Sequence, residues 1–367
     1  SFCPLCCFDA CRTPASRIWL CNENTLIRDF MTKFYLFVMK RYFRAMGLQV
    51  LAKGVEFGLS RPFGISRGQK TAAEVLEVVV QDGSDSGRGE GVPYKRYGDS
   101  IELALSQLER LPNSFSRADL VDLLPAGSAR NALDLALWDL ECKKSGMSIW
   151  SAAEIRTHRP LSFGYTISLS STVAMIQDAT DHSSSPLLKV KLGGDDDRAA
   201  ILGIREAAPD ATLIVDVNEG WDPEQLKTMI PVLLECGVEL LEQPLPAKLD
   251  EQLASIEVRI LLCADESFYP DCSIQNLSPA FGCVNVKLDK SGGLTKAMQD
   301  MELAREFGLK VMVGCMVSSS LAIAPAFAAA QLADYWDLDG FLSLSEDRSP
   351  AMRVEHGEIS LPAGLWC

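Results

Sequence analysis

Five segments decide how this chain is read: LLKVKLGG (187–194), TLIVDVNEGW (212–221), VELLEQPLP (238–246), RILLCADESF (259–268) and CVNVKLDKSGG (283–293). Each is a short apolar run with the pattern of a buried strand, and each ends in charge. The charged residues are Lys189 and Lys191, then Asp216 with Asn218, Glu242, Asp265 and Lys287. From Lys191 the steps to Asp216, Glu242, Asp265 and Lys287 are 25, 26, 23 and 22 residues. A strand, a returning helix and two loops take about that length. If the strands are parallel neighbours, all these charges emerge at one end of one sheet. A charged residue at the C-terminal end of a barrel strand reads as catalytic rather than structural.

Working outward, the same rhythm of strand then helix runs from Leu161. It adds LSFGYTISL before the five segments, and KVMVGCM and YWDLDG after them. Eight strands with runs apolar on both faces predict a parallel (β/α) barrel over residues 156–340. Upstream, LQVLAKGVEF and AAEVLEVVVQDG read as strands joined by a loop, LSRPFGISRGQK. A third strand follows near GRGEGVPYKRYGDS, where Gly87 and Gly89 read as a tight turn. Two helical patterns, SIELALSQLERL and SARNALDLALWDLECKKSG, complete an α+β domain over 47–155. The tail 341–367, with RVEHGEISLPAG, is expected to return to that domain as a strand.

Residues 1–46 differ in character. They hold Cys3, Cys6, Cys7, Cys11 and Cys21, and seven Lys/Arg against three Asp/Glu, while the whole chain has a formal net charge of −14. Segment 27–45 has the composition of a basic, aromatic helix, but the stretch reads as an atypical, poorly ordered extension. Cys3 and Cys6 have CxxC spacing, yet no second CxxC or His pair accompanies them, so zinc is not expected. The acidic balance argues against a nucleic-acid or anionic-membrane partner, and no 18-residue apolar run suggests a membrane span. Cysteines past Cys21 show no pairing framework, which fits a reducing, cytoplasmic setting. Cys263, Cys283 and Cys315 lie in apolar runs and read as small hydrophobes.

Three carboxylates on successive strand ends select a hard, oxygen-seeking cation, Mg²⁺ or Mn²⁺, over zinc. Lys189 and Lys191 share a face of their strand, and two close ammonium groups drive a pKa down, which makes a usable base. Lys287 stands on the sixth strand, across the mouth from the second. A carboxylate substrate held on the cation would thus have a lysine on each face of its α-carbon. One lysine removes the α-proton, the metal stabilises the enediolate, and the other lysine returns a proton from the opposite side. The outcome is inversion at that carbon.

These segments resemble the enolase superfamily, in particular its muconate lactonizing subgroup. PFGISRG (62–68), GRGEGVPYKRYGDS (87–100), PAGSARNALDLALWDL (125–140), VGCM (313–316) and DLDG (337–340) extend the likeness to the dipeptide epimerases, with L-Ala-D/L-Glu epimerase as the nearest type. The resemblance covers about residues 47–365. It implies a (β/α)₇β TIM-like barrel with an N-terminal α+β capping domain, completed by the tail. It implies Lys191 and Lys287 as the acid/base pair, Lys189 as the lysine that tunes Lys191, and Asp216, Glu242 and Asp265 as ligands of one Mg²⁺. Asp337 and Asp339 would receive the dipeptide's α-ammonium group, and Arg67 the side-chain carboxylate of the epimerised glutamate. The expected substrate is a dipeptide such as L-Ala-D-Glu, in murein peptide recycling, with a homo-oligomeric assembly compatible. Tyr335 and Trp336 depart from the pattern and are expected to alter the pocket, and Ser318, Ser319 and Ser320 have no assigned contact.

Three other readings compete. An o-succinylbenzoate synthase or cycloisomerase uses the same lysines and metal, but the DLDG motif and Arg67 favour a zwitterionic dipeptide. A His–Asp racemase is disfavoured because His158, His182 and His356 lie away from the sixth- and seventh-strand ends. A non-catalytic metal-binding barrel would have no turnover to lose.

Overall fold

The computed structural model describes residues 41–45, 48–269, 274–277 and 279–367. The cysteine-rich segment, its CxxC and the part of the basic segment before residue 41 lie outside the described residues. Residues Arg41–Ala45 form a strand, β1, paired antiparallel with Leu48–Ala52. The reading of 27–45 as a helix is therefore corrected over these five residues, and the sheet begins before residue 47.

Strand β2 (Leu48–Ile65) and strand β3 (Gly68–Asp82) make one long hairpin, followed by β4 (Asp85–Gly91) in the order β1-β2-β3-β4. The expected loop LSRPFGISRGQK is absent as a loop. Phe63 pairs with Lys70 and Ile65 with Gly68, so only Ser66 and Arg67 turn the chain. Pro62 and the glycines suggested a break. Instead the register shifts between Gly58 and Phe63, and the arm continues.

Gly87 and Gly89 do not form a turn either. With Gly91 they line one face of β4, and helix Ser128–Ser145 lies directly on them. A Cβ at Gly89 would sit 2.1 Å from the Ala132 carbonyl oxygen, and one at Gly87 2.1 Å from that of Ala136. The glycines are there so that a helix backbone can touch a sheet backbone. Gly89→Val is expected to cost about 3 kcal/mol or more, as overpacking against backbone that cannot yield. Thermal melts should show a large fall, whereas Gly83→Ala, at an open turn with nothing within 4 Å, should fall far less.

The barrel strands are β6 (Gly164–Ile167), β7 (Leu187–Lys191), β8 (Thr212–Asp216), β9 (Val238–Glu242), β10 (Leu261–Ala264), β11 (Cys283–Lys287), β12 (Lys310–Gly314) and β13 (Tyr335–Asp337). They lie in sequence order, each parallel to the next. Between β6 and β13 the barrel is closed by side chains: Thr166 N donates to Asp339 at 2.7 Å and Trp336 Nε1 to the Ser162 carbonyl at 2.7 Å. Helices such as Asp197–Ala207, Pro223–Glu235, Leu294–Glu306 and Ser320–Ala330 return the chain on the outside. No helix follows β13 beyond the short turn Gly340–Ser343, which gives the (β/α)₇β count.

Alternation along each strand sorts the residues. Leu188, Val190, Leu213, Val215 and Leu241 face the helices, while Ile214, Leu240, Cys263, Cys283 and Met312 close the floor of the barrel. Two residues further along β8 and β9, above that floor, come Asp216 and Glu242. The tail differs from expectation. Its strands Arg353–Glu355 (β14) and Glu358–Ser360 (β15) pair with each other and with Leu161–Ser162 (β5), at the foot of the barrel. The tail reaches the first domain outside those strands: Leu344 bridges Leu59 and Ser345 N donates to the Gly58 carbonyl, Arg348 lies on Glu77 and Glu90, and Leu365–Cys367 meet Arg88, Leu135 and Asp139.

Candidate active site

The strand registers set the charged residues at one height. Lys191 pairs with Asp216 and Asp216 with Glu242; further round, Lys287 pairs with Gly314 and Gly314 with Asp337. Asp265 follows the last residue of β10. Lys191 and Lys287 thus stand four strands apart in an eight-stranded barrel, with the acidic strands between them. A side chain at Gly314 would meet Lys287 Cε at 3.0 Å, so this glycine leaves the lysine its path. Lys191, Asp265, Lys287 and Asp337 rim a cavity of about 430 Å³ lined also by Lys189, Asp339 and the β2–β3 hairpin, with Asp216 and Glu242 fully buried.

Asp216, Glu242 and Asp265 each offer an oxygen, and these atoms lie within 4.8 Å of one another. Every one of these carboxylates is also held from behind. Asp216 Oδ1 accepts from Asn218 N at 2.9 Å, and Glu242 Oε1 from Asn285 Nδ2 at 2.7 Å. Lys290 Nζ grips Asp265 through Oδ1 at 2.6 Å and through its carbonyl at 2.7 Å. Glu242 Oε2 is buried without a hydrogen bond; Lys189 Nζ is 2.8 Å from it but not in line to donate. A buried carboxylate oxygen with no hydrogen bond, inside an all-oxygen triad, suits a hard divalent cation. The residues present fit Mg²⁺.

Electrostatics divide the acids. Burial pushes Glu242 up to about 7, aided by Asp216 and opposed by Lys189. Burial also works against Asp216 and Asp265, yet neighbouring lysines hold both below the usual carboxylate range. Burial would lower Lys189, but Asp337 at 2.7 Å, Glu242 and Asp216 surround it and raise its pKa well above the ordinary value. The same holds for Lys287 against Asp265 at 2.8 Å and Glu242. Lys191 has one carboxylate contact, Asp216 at 2.5 Å.

The hairpin tip sits over this rim. Ser66 Oγ donates to the Asn218 carbonyl at 2.7 Å, and Cβ atoms on Gly193 or Gly220 would lie 2.9 Å from Ser66 Cβ. Arg67 is fully engaged there. Nη1 donates to the Asn218 carbonyl at 2.6 Å and lies 3.2 Å from Glu219; Nη2 meets Tyr94 Oη at 2.9 Å and Glu266 at 2.7 Å. Its fork is held by protein groups, and the residue lines the cavity. Lys70 lies three residues on, in a cross-strand pair with Phe63 and hence on the same face. Its ammonium lies over the Tyr94 ring, 5.7 Å from the centroid, and makes no ion pair among the described residues. Sequence reasoning missed Lys70, Lys290 and Asn285, although Asn285 and Lys287 alternate onto the interior by simple strand period.

Asp337 and Asp339 both line the cavity. Asp337, engaged by Lys189, is held below its usual range in spite of burial, while burial and Asp337 push Asp339 up to about 7. Tyr335 and Trp336 do not line the cavity: Tyr335 packs on the barrel floor and Trp336 bonds Ser162. Ser319 binds Glu90 through N at 2.9 Å and Ser320 binds Asp347 through N at 3.0 Å, which ties the seventh-strand loop to the first domain and the tail. His158 stacks on Trp150 and His182 on Tyr165, and no histidine lines the cavity.

Residues 172–365 match the model of the enolase C-terminal domain-like family. The chain belongs to the enolase superfamily. An N-acetyl-D-glutamate racemase from Pseudoalteromonas sp. is 40% identical to it, over 80% of this chain and 95% of its own length. The L-Ala-D/L-Glu epimerase of Escherichia coli (strain K12) is 37% identical, over 83% of this chain and 96% of its own. Among solved structures, an enolase family member from Agrobacterium tumefaciens with homology to dipeptide epimerases, with bound sodium and L-Ala-L-Glu, is similar at a TM-score of 0.83. It is 39% identical, covering 87% of this chain and 100% of that one. A dipeptide epimerase from Methylococcus capsulatus, complexed with Mg and L-Arg-D-Lys, gives a TM-score of 0.80 at 29% identity, covering 86% and 98%. This enolase-superfamily chain is an isomerase of the racemase and epimerase kind. No helix among its described residues is long and apolar enough to cross a membrane.

Proposed function

We propose that the enzyme epimerises the C-terminal residue of a dipeptide, L-Ala-D-Glu to L-Ala-L-Glu and back, with one Mg²⁺ per site, in murein peptide recycling. The observation that carries the reading is the placement of Lys191 and Lys287 on strands four apart, with the acid triad between them. Mg²⁺ on Asp216, Glu242 and Asp265 supplies fixed positive charge for the substrate carboxylate as its α-carbon loses a proton. The chain's own groups do the rest. Lys287, kept protonated by Asp265 and Glu242, is the donor in one direction, and Lys191 takes the proton from the other face. The roles reverse for the opposite epimer, so one proton leaves and one arrives in each turnover. Lys189 neutralises the acids beside Lys191. Asn285 and Lys290 keep Glu242 and Asp265 turned to the ion.

Lys70 is the residue for the glutamate side-chain carboxylate, in place of Arg67, which braces the hairpin. Lys70→Gln should raise KM for L-Ala-D-Glu about tenfold or more, the worth of a charged hydrogen bond, and leave kcat for an aliphatic dipeptide within about twofold. Equal effects on acidic and aliphatic substrates would remove that role. Asp337 and Asp339 face the amino end of the substrate. A second reading, racemisation of N-acetylglutamate, is favoured by the 40% identical relative that carries that activity. An N-acetyl group brings no ammonium to the Asp337–Asp339 pair. Proton exchange at Cα in D₂O with Mg²⁺, followed by NMR over a panel of X-Glu dipeptides and N-acetylglutamate, tests both. Exchange with none of the X-Glu dipeptides would defeat the dipeptide claim.

A further inference from the structure

Beyond Asp339 the cavity has a neighbour. A second chamber of about 330 Å³ shares Phe63, Thr166 and Asp339 with the first and is lined on its far side by Arg61, Ser168 and His182. This volume lies in the range of small-ligand sites. Its far lining carries donors that the fold leaves free. Arg61 gives Nη1 to Asp178 at 3.0 Å and Nη2 to Tyr165 Oη, which leaves Nε–H and one N–H on each Nη. His182 uses Nδ1 on the Asp178 carbonyl at 2.9 Å, and neither its Nε2 nor Ser168 Oγ has a partner among the described residues. The nearest acid on that side, Asp178, is already engaged by Arg61 at 3.0 Å and lies 3.3 Å from His182.

The direction of a substrate follows from the reading above, on which this inference rests. With the α-carboxylate at the acid triad and the side chain toward Lys70, the amino substituent runs to β13 and Asp339. Asp339 accepts from Thr166 N through Oδ2 and keeps Oδ1 for an N–H of the substrate, whether ammonium or amide. An amide at that point does not end the substrate. It directs whatever follows past Phe63 and Thr166 into the second chamber.

We infer that the second chamber receives an acyl group on the amino side of the dipeptide, one carrying a terminal carboxylate that accepts from Arg61 and Ser168. The enzyme's substrates would then include N-acylated acidic dipeptides with an anionic end, not dipeptides with a free amino group alone. The acyl group takes no part in proton transfer, so the reaction is unchanged.

The test compares L-Ala-D-Glu, N-acetyl-L-Ala-D-Glu and N-succinyl-L-Ala-D-Glu as substrates of the Mg²⁺-loaded enzyme, by α-proton exchange. The succinyl compound should react with kcat/KM within about tenfold of the free dipeptide and better than the acetyl compound, by the worth of one charged hydrogen bond. Arg61→Gln should lower its kcat/KM about tenfold and change that of the free dipeptide less than about twofold. Ser168→Phe fills the chamber and leaves the Arg61–Asp178 pair in place, so it should act in the same selective way even if Arg61→Gln disturbs the fold. Exchange in the free dipeptide but none in the succinyl compound would overturn this inference alone, as would a Ser168→Phe enzyme that treats both alike. Exchange in no glutamyl dipeptide, acylated or free, would remove the parent reading and this inference together.

Discussion

Lys191→Ala and Lys287→Ala each stop interconversion of L-Ala-D-Glu and L-Ala-L-Glu, by about 10²–10⁴-fold or more, the contribution of a positioned general acid or base. The two variants are expected to fail differently. Each retains one lysine, so each should still wash the α-proton of a single epimer into D₂O, and the two variants should choose opposite epimers. This follows from the four-strand separation of β7 and β11, because a base on one face reaches the proton of one configuration only. Neither change strips an acid of all its cations. Asp216 keeps Lys189 at 3.2 Å, and Asp265 keeps Lys290 at 2.6 Å. Mg²⁺ binding, followed by calorimetry, should therefore survive in both. Exchange of both epimers by one variant would mean that a single group serves both faces.

The acid triad gives the second large effect, and its members should part company. Asp265 neutralises two buried ammonium groups, Lys287 at 2.8 Å and Lys290 at 2.6 Å. Asp265→Asn removes the ion pair of both, leaving Lys287 only the more distant Glu242 and Asp216, and removing one side of a buried pair costs about 3–5 kcal/mol. Its melting temperature should fall sharply with or without Mg²⁺. Glu242 is the reverse case. Its carboxyl is pushed up to about 7 in the fold, so the folded state favours the protonated form and loses stability as pH rises through that value. Glu242→Gln should then match or exceed the melting temperature of the metal-free parent at pH 8, yet gain nothing from added Mg²⁺. The same proton competes with the ion, so Mg²⁺ affinity of the parent should weaken as pH falls below about 7. A Glu242→Gln enzyme still stabilised by Mg²⁺ would show that the ion is held elsewhere.

The barrel and its charged rim were legible because charge interrupts an apolar run at a steady interval, and that signal is local. What the chain conceals is set by contacts between distant segments. PFGISRG has the composition of a loop, yet its backbone finds a partner strand, and the pairing of Phe63 with Lys70 decides which cation shares the face that lines the cavity. Arg67, the more conspicuous residue, is absorbed by Glu266, Glu219 and Tyr94. GRGEG looks like a turn because glycine permits one, and only the helix lying on it reveals that its use is close approach. Gln243 was invisible for a similar reason. Its backbone is left-handed, with φ of 36°, and its amide clamps Asp265 N and Ser267 N at 3.0 Å each. Strain at that point is part of how the strand ends carrying Glu242 and Asp265 are kept together. Lys290 went unnoticed because a one-turn helix after Lys287 folds it back onto Asp265.

The most direct measurement follows L-Ala-D-Glu in D₂O with Mg²⁺ by NMR at early conversion, before the product returns. Two lysines on opposite faces predict L-Ala-L-Glu carrying deuterium at the glutamyl α-carbon, while unreacted L-Ala-D-Glu keeps its proton. L-Ala-L-Glu that still carries the proton of the starting epimer would contradict the account.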